Sequence, residues 1–242
     1  MRLRELVTTA GLIVLAAVDT IGARYGVAEL RFSSVSRQQA ETVRTSVPEA
    51  ARAYQACAPL LPGPLPSNRV NNVPGPEGLM STLSGLIQDS AVIVVGRLDS
   101  RVCRVHTPFA SMGVDAPIVR SKFTVVVESA VRGAAPGARL SVIIEGLGRV
   151  VTTEGGFQSE TENFESPKVG DRFLLFLKAD AVDSDAFAVS AWRQGIFRVI
   201  DGETLRSPWR RTVSIAPASA LGQLDGKKTA DVLAEVARII GR

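Results

Sequence analysis

The chain has 242 residues, 45% hydrophobic and 21% charged, enough for one large core or two small ones and too apolar for a disordered tail. No apolar run reaches the roughly 18 residues of a firm membrane span, which excludes a polytopic protein. Lys and Arg number 28 against 24 Asp and Glu, an excess of +4 too small to name a partner, and one His and two Cys remove most metal and catalytic constellations at the outset.

Arg2 and Arg4 precede the apolar stretch Leu6–Val18, interrupted only by Thr8, Thr9 and Gly11 and closed by Asp19. That is the pattern of an export signal, so residues 1–23 read as a signal peptide cleaved after Ala23. The alternatives are an uncleaved membrane anchor and a buried first helix, although a buried surface helix would show a polar face. The expected location is periplasmic, cell-envelope or extracellular, with membrane contact only through an uncleaved N-terminal segment. Thiols pair in oxidising compartments, so export makes a Cys57–Cys103 disulfide one reading of the two cysteines, and two unpaired thiols the other.

Residues 24–57 read as a helical arm. Ser36 with Gln39 has capping-box spacing, Pro48 and Glu49 suit a first turn, and Ala40, Val43 and Val47 offer only a thin apolar face. Six of the 13 prolines fall between Ala58 and Gly78, so residues 58–75 read as a Pro-rich linker without ladder hydrogen bonds.

From residue 76 to 242 the pattern is that of a folded domain. Leu79, Met80, Leu83, Leu86 and Ile87 share one face of a helix beginning near Pro76. Ala91–Val95 is a β-branched run ending at Gly96. Residues 119–128 alternate, with Val119, Phe123, Val125 and Val127 on one face and Arg120, Lys122, Thr124 and Glu128 on a solvated one. Leu140–Glu145, Phe173–Leu177 and Ile196–Ile200 are further strands, separated by turn chemistry at Gly133, Pro136, Gly137, Gly170, Asp171, Gly195, Asp201 and Gly202. A helix over residues 229–240 carries Val232, Leu233, Val236, Ile239 and Ile240 in one stripe, with Gly241 at its C-terminal cap. The expected class is mainly β (α+β): an antiparallel sheet or small barrel with flanking N- and C-terminal helices and no parallel βαβ alternation.

His106 is the only imidazole, so nucleophilic catalysis with a Ser or carboxylate partner would have to use it. Cys103 and His106 have a metal-like spacing, but no second Cys/His pair completes a zinc set. Gly146-Leu147-Gly148 lacks the third glycine of a dinucleotide loop, and no cofactor motif is present. Glu160, Glu162 and Glu165, with Glu154 and Asp171 nearby in sequence, form an acidic loop without a calcium-loop pattern. Trp192, Arg193, Arg206, Trp209, Arg210 and Arg211 mix aromatic and basic groups and form the candidate surface for an anionic partner.

Four segments, SAVIVVGRLDS, SKFTVVVESAVRGAAPGARLSV, KVGDRFLLFL and GIFRVIDGETL, resemble uncharacterised bacterial exported proteins. The resemblance covers about half the chain, over residues 90–206, and rests on strand and turn positions including Val94, Gly96, Gly133, Gly137, Gly170, Leu175, Phe176 and Gly202. It implies an OB-like barrel related in outline to the netrin-like module of tissue inhibitors of metalloproteinases, without that module's N-terminal cysteine cluster. A fold likeness licenses no function by itself. The expectation is a non-catalytic extracytoplasmic binding or interaction module for an unknown protein or envelope component. The alternatives are an exported hydrolase using His106 and an OB-like binder of a polyanion, nucleic acid being disfavoured by export.

Overall fold

The computed structural model describes residues 47–61, 70–73, 82–107, 117–153, 155–161, 164–209 and 219–241. Residues 1–23, expected as an export signal, residues 24–46 of the expected arm, and Pro76, Leu79 and Met80 lie outside these. Eleven strands are described: β1 (Gln55–Ala56), β2 (Val70–Val73), β3 (Val92–His106), β4 (Ile118–Arg132), β5 (Arg139–Glu145), β6 (Gly148–Thr152), β7 (Gly155–Thr161), β8 (Arg172–Ala179), β9 (Phe187–Val189), β10 (Ile196–Ile200) and β11 (Thr204–Arg206). Eight form one sheet in the order β1-β3-β4-β5-β9-β8-β10-β11, and a further pairing of β3 with β8 bends it into a partial ring. A small second sheet has the order β2-β7-β6.

The expected antiparallel sheet is in fact mixed, because β5 and β9 run parallel and so do β2 and β7. The parallel step arises because the chain leaves β5 through the β6–β7 hairpin and returns as β8, so that β9 enters beside β5 in the same direction. Val70–Val73, expected as linker, is one of these parallel strands: it lies between the prolines at 66 and 74 and contains none, so every residue keeps its N–H.

β3 is far longer than the apolar run that marks it. It continues through Gly96 to His106 and pairs along its length with β4. Register shifts at Ile93/Val94, Val95/Gly96 and Leu98/Ser100 bend this hairpin, so that its first part closes on β8 while its far part supports another cluster. Gly96 is required there: a Cβ would lie 2.5 Å from Val125 Cγ1 and 2.9 Å from the Val126 carbonyl oxygen. Gly133 turns β4 towards β5 with φ +76°, where a Cβ would also meet the Ala91 carbonyl at 2.4 Å.

The main core lies inside the ring. Phe123, Phe173, Phe176 and Phe197 are fully buried there, together with Val92–Val95 and Leu174–Leu177. Helices cover one side of it. The Leu83–Gln88 helix buries Leu83, Leu86 and Ile87, is capped by the Thr82 hydroxyl, and has Arg132 Nη1 donating to the carbonyls of Ile87 and Ser90 at 3.0 Å. The Thr229–Ile240 helix sinks Val232 and Val236 completely, with Leu233, Ile239 and Ile240 packed around them. Its stripe therefore completes the core, as the periodicity requires. Among the described residues no helix is long and apolar enough to cross a membrane.

A second cluster, Val47, Ala51, Cys103, Val105, Val119 and Val150, explains the end of the expected arm. Helix is confined to Glu49–Arg52 in the described part, and the chain then pairs as β1 with Val102 and Cys103 instead of remaining helical to residue 57. Ala51 is fully buried, and a Cys57–Cys103 disulfide, Cα–Cα 5.0 Å, fastens this segment to β3. A thin apolar face suffices because the bridge and the β1 pairing share the anchoring.

Candidate functional site

The register of β3, β4 and β5 places Arg104, Arg120 and Glu145 side by side across the sheet. Two guanidinium groups on adjacent strands repel, and Arg120 has no exposed side-chain area at all. The β8–β9 loop, residues 180–186, supplies the compensating charge. Arg120 Nη2 donates to both Asp180 oxygens at 2.7 Å, while Glu145 lies 3.3 Å from its Nε and Asp183 3.7 Å from its Nη1. Arg104 pairs with Asp183 at 2.8 Å and Lys122 with Asp185 at 2.9 Å. Tyr54 closes the group from the β1 side: its hydroxyl donates to Asp183 at 2.6 Å and its ring lies under Arg104 and Lys122.

Asp180 also organises its own loop, accepting the backbone N–H of Val182 at 3.0 Å and of Asp183 at 2.7 Å. Burial opposes its ionisation, but those N–H groups and the Arg120 guanidinium outweigh it and hold the carboxyl below the usual aspartate range. The result is a loop clamped to the sheet by charge.

Beside this clamp lies a cavity of about 330 Å³ between β5, the end of β8, the loop and β9. Ile143, Ile144, Val182, Ala188 and Val189 form its apolar wall, and Glu145, Lys178, Asp180 and Arg193 are its charged groups. Arg193, on the Ser190–Arg193 turn, is only 7% exposed and donates to the Thr161 hydroxyl. Burial lowers its pKa to about 10, with Glu145 acting in the opposite direction.

His106 is half-buried at the end of β3, two residues beyond Arg104 on the same strand face, beside a smaller cavity of about 290 Å³ that Arg52 and Arg104 also line. Burial and the charges of Arg120 and Arg104 lower its pKa against the pull of Asp183 and Asp180. The imidazole is therefore neutral at pH 7. Among the described residues it makes no hydrogen bond to a serine or carboxylate.

The aromatic and basic residues singled out in the sequence are partly brought together, but not as an open face. Trp209 is 4% exposed, packs edge-on against Phe164 at 4.9 Å and donates from Nε1 to the Arg193 carbonyl at 3.4 Å. Both it and Arg193 lie beneath the surface, tied to each other by that bond and to β7 through the Arg193–Thr161 hydrogen bond. Arg206 is exposed and lines a cleft of about 410 Å³ with Trp209, Glu165 and Asp225. The Trp192 side chain, Arg210 and Arg211 lie outside the described part. Of the acidic loop, Glu165 and Asp171 converge on Arg198, Glu160 accepts from Gln158 at 2.6 Å, and Glu154 and Glu162 are outside the described residues. Among the described residues no group of three or more His, Cys, Asp or Glu is placed to hold a metal ion.

The sequence reading missed Arg120 and Tyr54. The signal available was the spacing of Asp180, Asp183 and Asp185 in one short loop opposite a strand carrying Arg120 and Lys122 two residues apart.

No family model, curated protein or solved structure matches this chain.

Proposed function

We propose that the chain is a non-catalytic extracytoplasmic binding module built on an OB-like barrel. Strands β3, β4 and β5 are consecutive antiparallel neighbours and β8 returns beside β3, the Greek-key order, while β9 joins β8 to β5. Five strands in a partly open Greek-key ring match the OB-like outline. The disulfide suits an oxidising compartment and so supports export.

The observation that carries the binding reading is how the charge is used. Arg104, Arg120, Lys122, Asp180, Asp183 and Asp185 neutralise one another and hold the β8–β9 loop, and that loop forms the rim of an open cavity with a largely apolar wall. A clamped loop beside a preformed cavity is the arrangement of a binding site. One observation favours a second reading, an exported hydrolase: a neutral, half-buried imidazole borders a cavity of its own. Incubation of the full chain with p-nitrophenyl acetate and bis-p-nitrophenyl phosphate separates them. The binding module gives no turnover above buffer, whereas turnover abolished by His106→Ala establishes the hydrolase. Retention on heparin that falls steeply with salt would move the function to polyanion binding.

A further inference from the structure

Four charged side chains line the cavity between β5, β8 and β9, and three of them are neutralised. Glu145 and Asp180 are ion-paired with Arg120, and Lys178 Nζ lies 3.3 Å from Asp89. The fourth, Arg193, has no carboxylate within ion-pair distance among the described residues, although it is the most buried of the lining cations. A guanidinium carries five N–H donors. Arg193 lines the cavity, and its one side-chain hydrogen bond among the described residues, to Thr161, leaves N–H donors over for a ligand.

The backbone holds it there against local preference. Ala191 has φ +50° and Arg193 φ +67°, both in the left-handed region that non-glycine residues avoid, in a turn of only four residues. The Trp209 indole fixes the Arg193 carbonyl, and buried Ser190 shares a 2.9 Å hydrogen bond with Ser90. A buried cation with no carboxylate at ion-pair distance among the described residues, only the more distant Glu145 acting on it, and presented by a strained and doubly anchored turn, is a preorganised receptor for an anion. The rest of the wall decides which anion. Ile143, Ile144, Val182, Ala188 and Val189 suit an apolar body, and the flanking Glu145 and Asp180 disfavour a dianion.

We propose that this cavity binds a small monocarboxylate with an apolar tail, its carboxylate on Arg193 and its tail along β5 and β9. The planar guanidinium fork matches a carboxylate, and the cavity volume, about 330 Å³, suits a ligand of short-chain fatty or aromatic acid size. This inference rests on the binding-module reading and names its ligand class.

The test is calorimetric titration of the full, disulfide-bonded chain with sodium octanoate and, separately, with octan-1-ol, which has the same tail and no charge. Octanoate should bind saturably and at least tenfold more tightly than octanol. Arg193→Gln should bring the two affinities together. Because a buried arginine can also support folding, Val182→Trp is the second variant: Val182 is 50% exposed at the rim, so the indole narrows the mouth with little burden on the core and should weaken octanoate at least tenfold. Equal affinity for acid and alcohol, insensitivity to Val182→Trp, or absence of saturable octanoate binding overturns the proposal. If octanoate fails while the chain still turns over no ester, the ligand class falls and the binding module stands; turnover lost in His106→Ala removes both.

Discussion

Replacing Arg120 by Met removes a guanidinium with no exposed area from among three carboxylates, and their surroundings decide the cost. Glu145 is 36% exposed and can rehydrate. Asp183 keeps Arg104 at 2.8 Å and the Tyr54 hydroxyl at 2.6 Å. The loss therefore falls on Asp180, 6% exposed, which retains only its two loop N–H bonds. Removing one partner of a buried pair costs about 3–5 kcal/mol, and those two bonds put this case near 3. With an m-value of about 2–3 kcal/mol/M in urea, the midpoint at pH 7 should fall by about 1–1.5 M. Adding Asp180→Asn removes the stranded charge, so Arg120→Met/Asp180→Asn should regain about 2 kcal/mol over the single variant. The pH profile provides an independent check. The folded pKa of Asp180 is depressed, so the unfolded chain binds more protons between the two values; the stabilisation is complete above about pH 4 and is lost as pH falls through the folded pKa. Arg120→Met should flatten that acid limb. A cost below about 1 kcal/mol, or a double variant no more stable than the single, would refute the view that the clamp is held by this charge.

Three further outcomes follow from the packing. Cys57→Ser/Cys103→Ser opens a 46-residue loop and should lower stability by at most about 4 kcal/mol in urea unfolding, with no change on adding reductant to the variant. Val236→Ala, at a fully buried position of the C-terminal helix, should cost about 2 kcal/mol by thermal melting, against less than about 0.5 for exposed Arg238→Ala. Gly96→Ala forces a methyl against Val125 and the Val126 carbonyl and should cost about 1–3 kcal/mol, measured in the same way.

Much of the fold was legible because burial writes itself into periodicity. The alternation of Val119, Phe123, Val125 and Val127 and the stripe of Val232 and Val236 mark the same faces that the structure buries. The ends of elements were less legible. β3 runs past Gly96 because its far half pairs through mixed residues such as Arg101 and Arg104, which carry no apolar signature. Arg120 was placed on a solvated face by that same alternation, and it is buried because a loop 60 residues later brings two aspartates, Asp180 and Asp183, to it. Nothing local to β4 records that return. Arg193 and Trp209 looked like surface through their polarity, whereas a positive-φ turn and an indole hydrogen bond place them inside.

The claim of an exported, disulfide-fastened module is tested most directly by the intact mass of the natively expressed chain, alkylated under denaturing conditions without reductant. The account predicts a mass beginning within a few residues of Arg24 and carrying no alkyl group, since Cys57 and Cys103 are bridged. A chain beginning at Met1 with both cysteines alkylated would contradict it.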